Sequence, residues 1–352
     1  MPGWDRPVNS CHGHGAISAG HPADAFGKLF RVLLSLLWGD QLVQVTQRKR
    51  WPIPGKLNLA ICVVQIAAFA AVFWATSQAT SWWQIGLLAG LFAILGNSIY
   101  SLVHEAEHGM LHPNRTANDL LGTVLALLFP APYHLIRQGH LGHHLRNRSD
   151  DEAFDLYFDG EQPLWKWLEL YGIITGFYWG IVVLSNVVVL FCPFVLKRRF
   201  FEFDRSSAAF MESLNPRYWR LIQLEAVAAV VLHTALVVGL GISPWRYLAV
   251  YFGFGFSWSA MQYVHHYGTE RDVLLGARNL WLFAPIDWLW LHHNWHRTHH
   301  RHPTVPWLYL PSIGRQEDPQ RGFLLRHYMR MWRGPRHTSE HVENRYSGRV
   351  IH

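Results

Sequence analysis

Four stretches of the chain, residues 57–76, 82–103, 221–240 and 247–263, are almost continuously apolar. Each approaches the roughly 20 residues that a helix needs to cross the hydrocarbon core of a bilayer. The connections 77–81 and 241–244 are short and uncharged, so the stretches pair into two tight helical hairpins. Arg48, Lys49, Arg50 and Lys56 precede the first hairpin, and Lys197, Arg198, Arg199, Arg217 and Arg220 precede the second. Basic residues collect on the cytoplasmic flank of spanning helices, so both hairpins are expected to start and end in the cytoplasm.

Two further apolar stretches fit less simply. Residues 120–133 are short and broken by Pro130 and Pro132, while 165–196 are long enough to cross once but contain Gly172, Gly176, Gly180, Asn186 and Pro193. A single crossing through 165–196 would put the basic residues 197–199 on the wrong side. Both stretches are therefore expected to lie re-entrant or in plane on the cytoplasmic side, with a fifth crossing as the alternative. Residues 321–333 read as a basic amphipathic helix on the membrane surface. The expected fold is all-α and integral to the membrane, with four transmembrane helices in two hairpins and a cytosolic histidine-rich cap. One domain, residues 28–335, is expected between flexible tails at 1–27 and 336–352.

Composition agrees. The chain is 50% hydrophobic and only 16% charged, against about 25% charged in a soluble domain. The net charge is +7, but the basic residues cluster between apolar runs, which suits loops beside anionic membrane lipid rather than nucleic acid. Cys11, Cys62 and Cys192 show no paired spacing, so nothing requires an oxidising compartment. Residues 1–27, with His12, His14 and His21, are Gly- and Pro-rich without an apolar core, unlike a signal peptide.

Fifteen of the 23 histidines fall within 104–144 and 265–302. Asn97, Ser101, His104 and His108 step by four, three and four, giving one polar stripe on an apolar helix. Such stripes face the protein interior and often mark function. Helix-to-helix hydrogen bonding suffices for Asn97 and Ser101, whereas two histidines at the end of the stripe read as metal ligands. His140, His143 and His144 form a second group and His296, His299 and His300 a third, both of the form H-x-x-H-H. Eight imidazoles exceed the four ligands of one zinc and suggest two metals. The competing reading takes His104-Glu105-x-x-His108 as the H-E-x-x-H pattern of an intramembrane zinc metalloprotease, with Glu105 as general base. It leaves the other two groups unexplained. A metal transporter would place its ligands near the bilayer midplane, whereas these gather at helix ends. Elsewhere, His233 reads as a packed, hydrogen-bonded residue, and His112, before Pro113, as a helix terminator. His134 and His302 stay unassigned near the site.

With three histidine groups of these forms, residues 57–310 resemble the membrane fatty acid desaturase and hydroxylase superfamily. Tyr263-Val-His-His266-Tyr-Gly268 also fits a Tyr-x-x-His-Tyr-Gly context found in its alkane-hydroxylase branch, while His296-Arg-Thr-His-His300 followed by Pro303 looks more like a desaturase. The resemblance implies nine ligands shared between two non-haem irons: His104, His108, His140, His143, His144, His266, His296, His299 and His300. It also implies a water-bridged role for Gln262, which stands where acyl-CoA desaturases carry a polar residue. His265 and His292 are expected in supporting positions. Ligating imidazoles usually donate their second N–H to a carboxylate or carbonyl, and Asp150, Asp151, Glu152 and Asp287 lie near enough in sequence to accept, with a solvated loop as the equal alternative for 150–152.

The implied activity is O2-dependent attack on unactivated C–H bonds of a fatty acid or fatty acyl chain, foremost desaturation. Decarboxylation to a terminal alkene and hydroxylation are the alternatives. No Gly-rich dinucleotide fingerprint and no fused His-Pro-Gly-Gly haem segment occurs. No bound nucleotide is therefore expected, and electrons are expected from a separate ferredoxin, rubredoxin or cytochrome. The Arg residues between 315 and 349 offer a surface for an acidic donor.

Overall fold

The computed structural model describes residues 51–345. The expected tail 1–27, the flanking Arg48, Lys49 and Arg50, and the last seven residues of the expected tail 336–352 lie outside the described residues. Helices α1 (Gly55–Gln78) and α2 (Trp82–Glu107) form the first expected hairpin. Ser81 and Gln84 close a capping box at the start of α2, satisfying backbone N–H groups that the first turn cannot pair. The helix ends earlier than the His112–Pro113 pair suggested. Gly109 takes φ +70°, a left-handed conformation that stops a helix at little cost in glycine.

The two ambiguous apolar stretches are both sharply bent. Helices α3 (Arg115–Leu128) and α4 (Tyr133–Arg146) meet at 101° across the corner containing Pro130 and Pro132. Helices α5 (Pro163–Ile174) and α6 (Phe177–Phe191) meet at 91°. Gly176 makes that second bend with φ +95°, and a Cβ there would sit 3.0 Å from the backbone of Phe256. A short α7 (Arg205–Ser213) leads to α8 (Trp219–Gly239) and α9 (Pro244–Val264), the second expected hairpin. Beyond it come α10 (Ala284–Leu289), α11 (His296–Arg301), α12 (Leu310–Glu317) and α13 (Leu324–Met331). Two short parallel strand pairs tie this part together: β1 (Leu156–Tyr157) with β4 (Arg336–His337), and β2 (Leu280–Trp281) with β3 (Gly322–Phe323).

Among the described residues, α1, α2 and the segment Pro216–Gly239 are long and apolar enough to cross a membrane, and the bent pairs raise the possible number to five. The fourth expected span, now α9, is not among these, and its buried residues lie between Val250 and Val264. It packs along α2 so tightly that a Cβ on Gly96 would lie 2.4 Å from the Phe254 ring, and one on Gly253 2.6 Å from the Ala89 carbonyl oxygen. Between these helices sits an aromatic core of Phe73, Phe92, Phe129, Tyr251, Phe254 and Trp258. The outer faces of α1, α2 and α8 leave Val63, Val64, Leu87, Val230 and Val231 exposed, as lipid-facing surfaces do. Trp74, Trp82, Trp83 and Trp245 are exposed around the hairpin turns, where interfacial tryptophans collect. Arg246 donates from Nη1 to the Ala79 carbonyl at 2.7 Å, so the two turns adjoin. The histidine-bearing ends of α2 and α9 lie at the opposite end.

Two expectations change. The amphipathic helix foreseen over 321–333 is helical only across α13, because Gly322 and Phe323 pair as β3. Residues 336–345, foreseen as the start of a tail, are laid along the loop after α4. Arg336 N donates to Asp155 O at 2.9 Å, Val342 N to the Asp150 carboxylate at 2.9 Å, and Arg345 N to Leu145 O at 2.8 Å.

Candidate metal centre

Three helices and one turn deliver the imidazoles. The last turn of α2 carries His104 and ends at His108; α4 carries His140, His143 and His144; His266 follows α9; α11 carries His296, His299 and His300. They sort into two sets. One nitrogen each from His104, His108, His140, His144 and His299 lies within 4.8 Å of the others, and the same holds for His143, His266, His296 and His300. Neither H-x-x-H-H group stays whole. Side chains turn by about 100° per residue on a helix, so the residues four apart share a direction while the middle histidine diverges. His140 and His144 enter the first set and His143 the second; His296 and His300 enter the second and His299 the first.

Within the sets, nitrogens face nitrogens. His108 Nε2 lies 2.8 Å from His140 Nε2, and His144 Nε2 lies 3.1 Å from His140 Nε2 and 3.0 Å from His299 Nε2. In the second set His266 Nε2 is 3.0 Å from His296 Nε2, and His300 Nε2 is 3.2 Å from both His143 and His296. His266 Nδ1 is 2.9 Å from the Gly276 carbonyl. A carbonyl can only accept, so that nitrogen carries the proton and Nε2 presents a lone pair. His143 Nδ1 likewise meets the Glu152 carboxylate, which leaves its Nε2 lone pair facing His300. Converging lone pairs repel one another unless a cation lies between them, so these donors fit bound metal ions. Burial, followed by the neighbouring imidazoles, holds His296, His299 and His300 well below their ordinary pKa. Neutral imidazole is the ligating form.

Partners outside the sets differ. Glu152 is also held by Arg146 at 3.2 Å; burial pushes its carboxyl up, but His143 and Arg146 outweigh this and leave it below its usual range. Glu107 is buried 3.9 Å from His140 Nδ1. Glu105 accepts the backbone N–H of Trp307 at 3.1 Å. His265 lies beside His296, its ring tilted by 35° with ring centres 4.6 Å apart. Asp287 accepts from His292 at 3.2 Å, Asn294 at 3.0 Å and Arg321 at 3.3 Å, so it braces the loop ahead of α11. Asp151 turns towards Asn344 and Arg205, and the Gln262 amide donates back to the Trp258 carbonyl at 3.1 Å. Asn97 bonds across to Ser257 at 2.8 Å, Ser101 to its own helix, and His233 to Leu127 O and Tyr247. Asn97 thus makes the helix-to-helix bond expected of it and His233 is hydrogen-bonded as expected, whereas Ser101 bonds within its own helix instead of across to another.

Sequence reasoning passed over His293. The His293 ring lies 4.9 Å from His104, in the first set, and 5.2 Å from His296, in the second. Its only signal was its place three residues before His296 and next to His292.

Residues 77–335, well over half of the chain, match the model of the family described as fatty acid desaturase. The chain belongs to the fatty acid desaturase family. No curated protein matches it. Desaturase membership makes the chain a fatty acid oxidoreductase of a membrane environment, and the matched span takes in every imidazole of both sets.

Proposed function

We propose that this chain is an O2-dependent membrane diiron fatty acid desaturase, with His104, His108, His140, His144 and His299 around one iron and His143, His266, His296 and His300 around the other. The observation that carries this reading is the two sets of converging imidazole nitrogens, each residue buried or half-buried. Nitrogen ligands of this kind suit iron, and a pair of irons bound there supplies dioxygen activation and removal of hydrogen from an unactivated C–H bond. The chain's own residues hold the ligands, fix their tautomers through Gly276 O and Glu152, and keep water away by burial. Nine donors exceed a zinc protease site, and Glu105, the base that such a site would need, is engaged by Trp307 N.

The reading includes four crossings, formed by α1, α2, α8 and α9, with both bent pairs re-entrant. The imidazole end carries Lys197, Arg198, Arg199, Arg217 and Arg220, whereas the hairpin-turn end carries Arg246. The positive-inside rule then puts the metals on the cytoplasmic side, within reach of a separate ferredoxin, rubredoxin or cytochrome. Gln262, His265, His292 and Asp287 act around the ligands rather than as ligands, whereas Asp151, aimed at Asn344 and Arg205, takes no part.

The test is anaerobic loading with ferrous iron, followed by oxygen, a reductase system and dodecanoic to octadecanoic acids. Mass spectrometry of lipid and headspace reads the product. An unsaturated acid, with two irons per chain, is expected. A hydroxy acid or a volatile terminal alkene as the main product would replace desaturation with hydroxylation or decarboxylation. A single zinc with no oxygen consumption would overturn the whole reading.

A further inference from the structure

We propose that Asp155 is a positioning residue for the second imidazole set, locking the turn that carries His266 onto the segment that carries His143 and Glu152. The inference rests on the two-metal reading above. Asp155 and Arg148 are both buried, at 0% and 1% exposure. Asp155 Oδ1 accepts the Tyr263 hydroxyl at 2.5 Å and also the Arg148 guanidinium, while Oδ2 accepts Gly268 N at 2.7 Å. Tyr263 stands three residues before His266 and Gly268 two after it, so one carboxylate grips the turn from both sides.

Neighbouring bonds complete the grip. Arg148 donates to the Tyr263 oxygen at 2.7 Å and to Thr269 O at 3.1 Å. Asn147 Nδ2 reaches Gly276 O at 3.3 Å, the same carbonyl that accepts His266 Nδ1. Arg148 itself sits at φ +60°, a conformation costly for a residue other than glycine unless its surroundings enforce it. The backbone carbonyl of Asp155 takes Arg336 N in the β1–β4 pair, a strand that lies outside the family match. Burial pushes the Asp155 carboxyl up, yet Arg148 and the donated hydrogen bonds leave it below its usual range. Among the described residues the first set has no counterpart to this arrangement; four of its five imidazoles belong to α2, its cap, and α4.

A purely structural ion pair would lower stability without separating the two metal positions, so metal stoichiometry decides. The full chain in detergent micelles is loaded anaerobically with ferrous iron, and bound iron is measured against a competing chelator. Wild type is expected to hold two irons. Asp155→Asn is expected to keep one at wild-type affinity and bind the other about 10- to 100-fold more weakly, the usual consequence of losing a partner behind a ligand. Combining it with His108→Ala should then weaken both. Two irons at unchanged affinity in Asp155→Asn, or equal weakening of both, would overturn the inference alone. Fewer than two irons in the wild type would instead overturn the two-metal reading and the inference with it. Should Asp155→Asn not fold, Tyr263→Phe removes a single hydroxyl from the grip. Selective weakening of one iron then supports the inference, and two unchanged affinities overturn it.

Discussion

The two imidazole sets are built on different scaffolds. The first stands on the ends of long helices: α2 supplies His104 and His108 and α4 supplies His140 and His144, with only His299 coming from elsewhere. The second is strung on the turn after α9 and on the six-residue α11, with His143 alone reaching over from α4. A long helix fixes side-chain directions through its own hydrogen-bond ladder, whereas a turn must be fixed by side chains. The second set accordingly has carboxylates bonded to it and around it, Glu152 on His143 and Asp155 across the His266 turn. The first set needs fewer such partners because its geometry is inherited from the membrane helices.

The largest effect should come from α11, where adjacent histidines serve different sets. His299→Ala and His300→Ala are each expected to abolish turnover, but to remove different irons. Spectroscopy of half-loaded protein should therefore give two distinct residual iron signatures. Identical signatures would mean that the sets are not separate sites, and the comparison would collapse.

Much of this was legible in the sequence because it follows from helical periodicity. Spacings of three and four brought His104 to His108 and His140 to His144, and prolines and a glycine marked both bends. The division of each H-x-x-H-H group between two sets is also a consequence of about 100° per residue, although the grouping by sequence proximity concealed it. The contacts that depend on loops crossing far along the chain were not legible. His293 lies outside any helix, so periodicity says nothing about where its ring points. Asp155 sits 108 residues from Tyr263, and the strand at Arg336 closes from further still. Asp151 looked equivalent to Glu152 by proximity, yet the turn of the chain aims it at Asn344 and Arg205.

A smaller effect sharpens the contrast. Glu152→Gln keeps an acceptor beside His143 Nδ1 but removes the charge that also pairs with Arg146. Iron in the second set should bind about tenfold more weakly, with the first set unchanged, as read by chelator competition. Equal loss from both sets would show that the loop after α4 supports the whole centre rather than one half.

The smallest effect concerns protons, and it singles out the residue that touches both sets. Burial pushes His293 down to about 4, with Asp287 pulling the other way, from an ordinary value of 6.5. In the metal-free protein it stays neutral while the unfolded chain takes up a proton below about pH 6.5. The unfolded state then binds more protons, so this contribution to stability is fully present above pH 6.5 and is lost as the pH falls towards 4. His296, His299 and His300, also depressed, act in the same direction. Between pH 7.5 and 5.5 the iron-free wild type should lose stability, and His293→Gln should lose about 1 kcal/mol less, measured by chemical denaturation at both pH values. Because His293 borders both sets without belonging to either, the variant should still load two irons. Loss of one iron would make it a ligand of that set, and an unchanged acid limb would mean that its ring is not closed off from water between them.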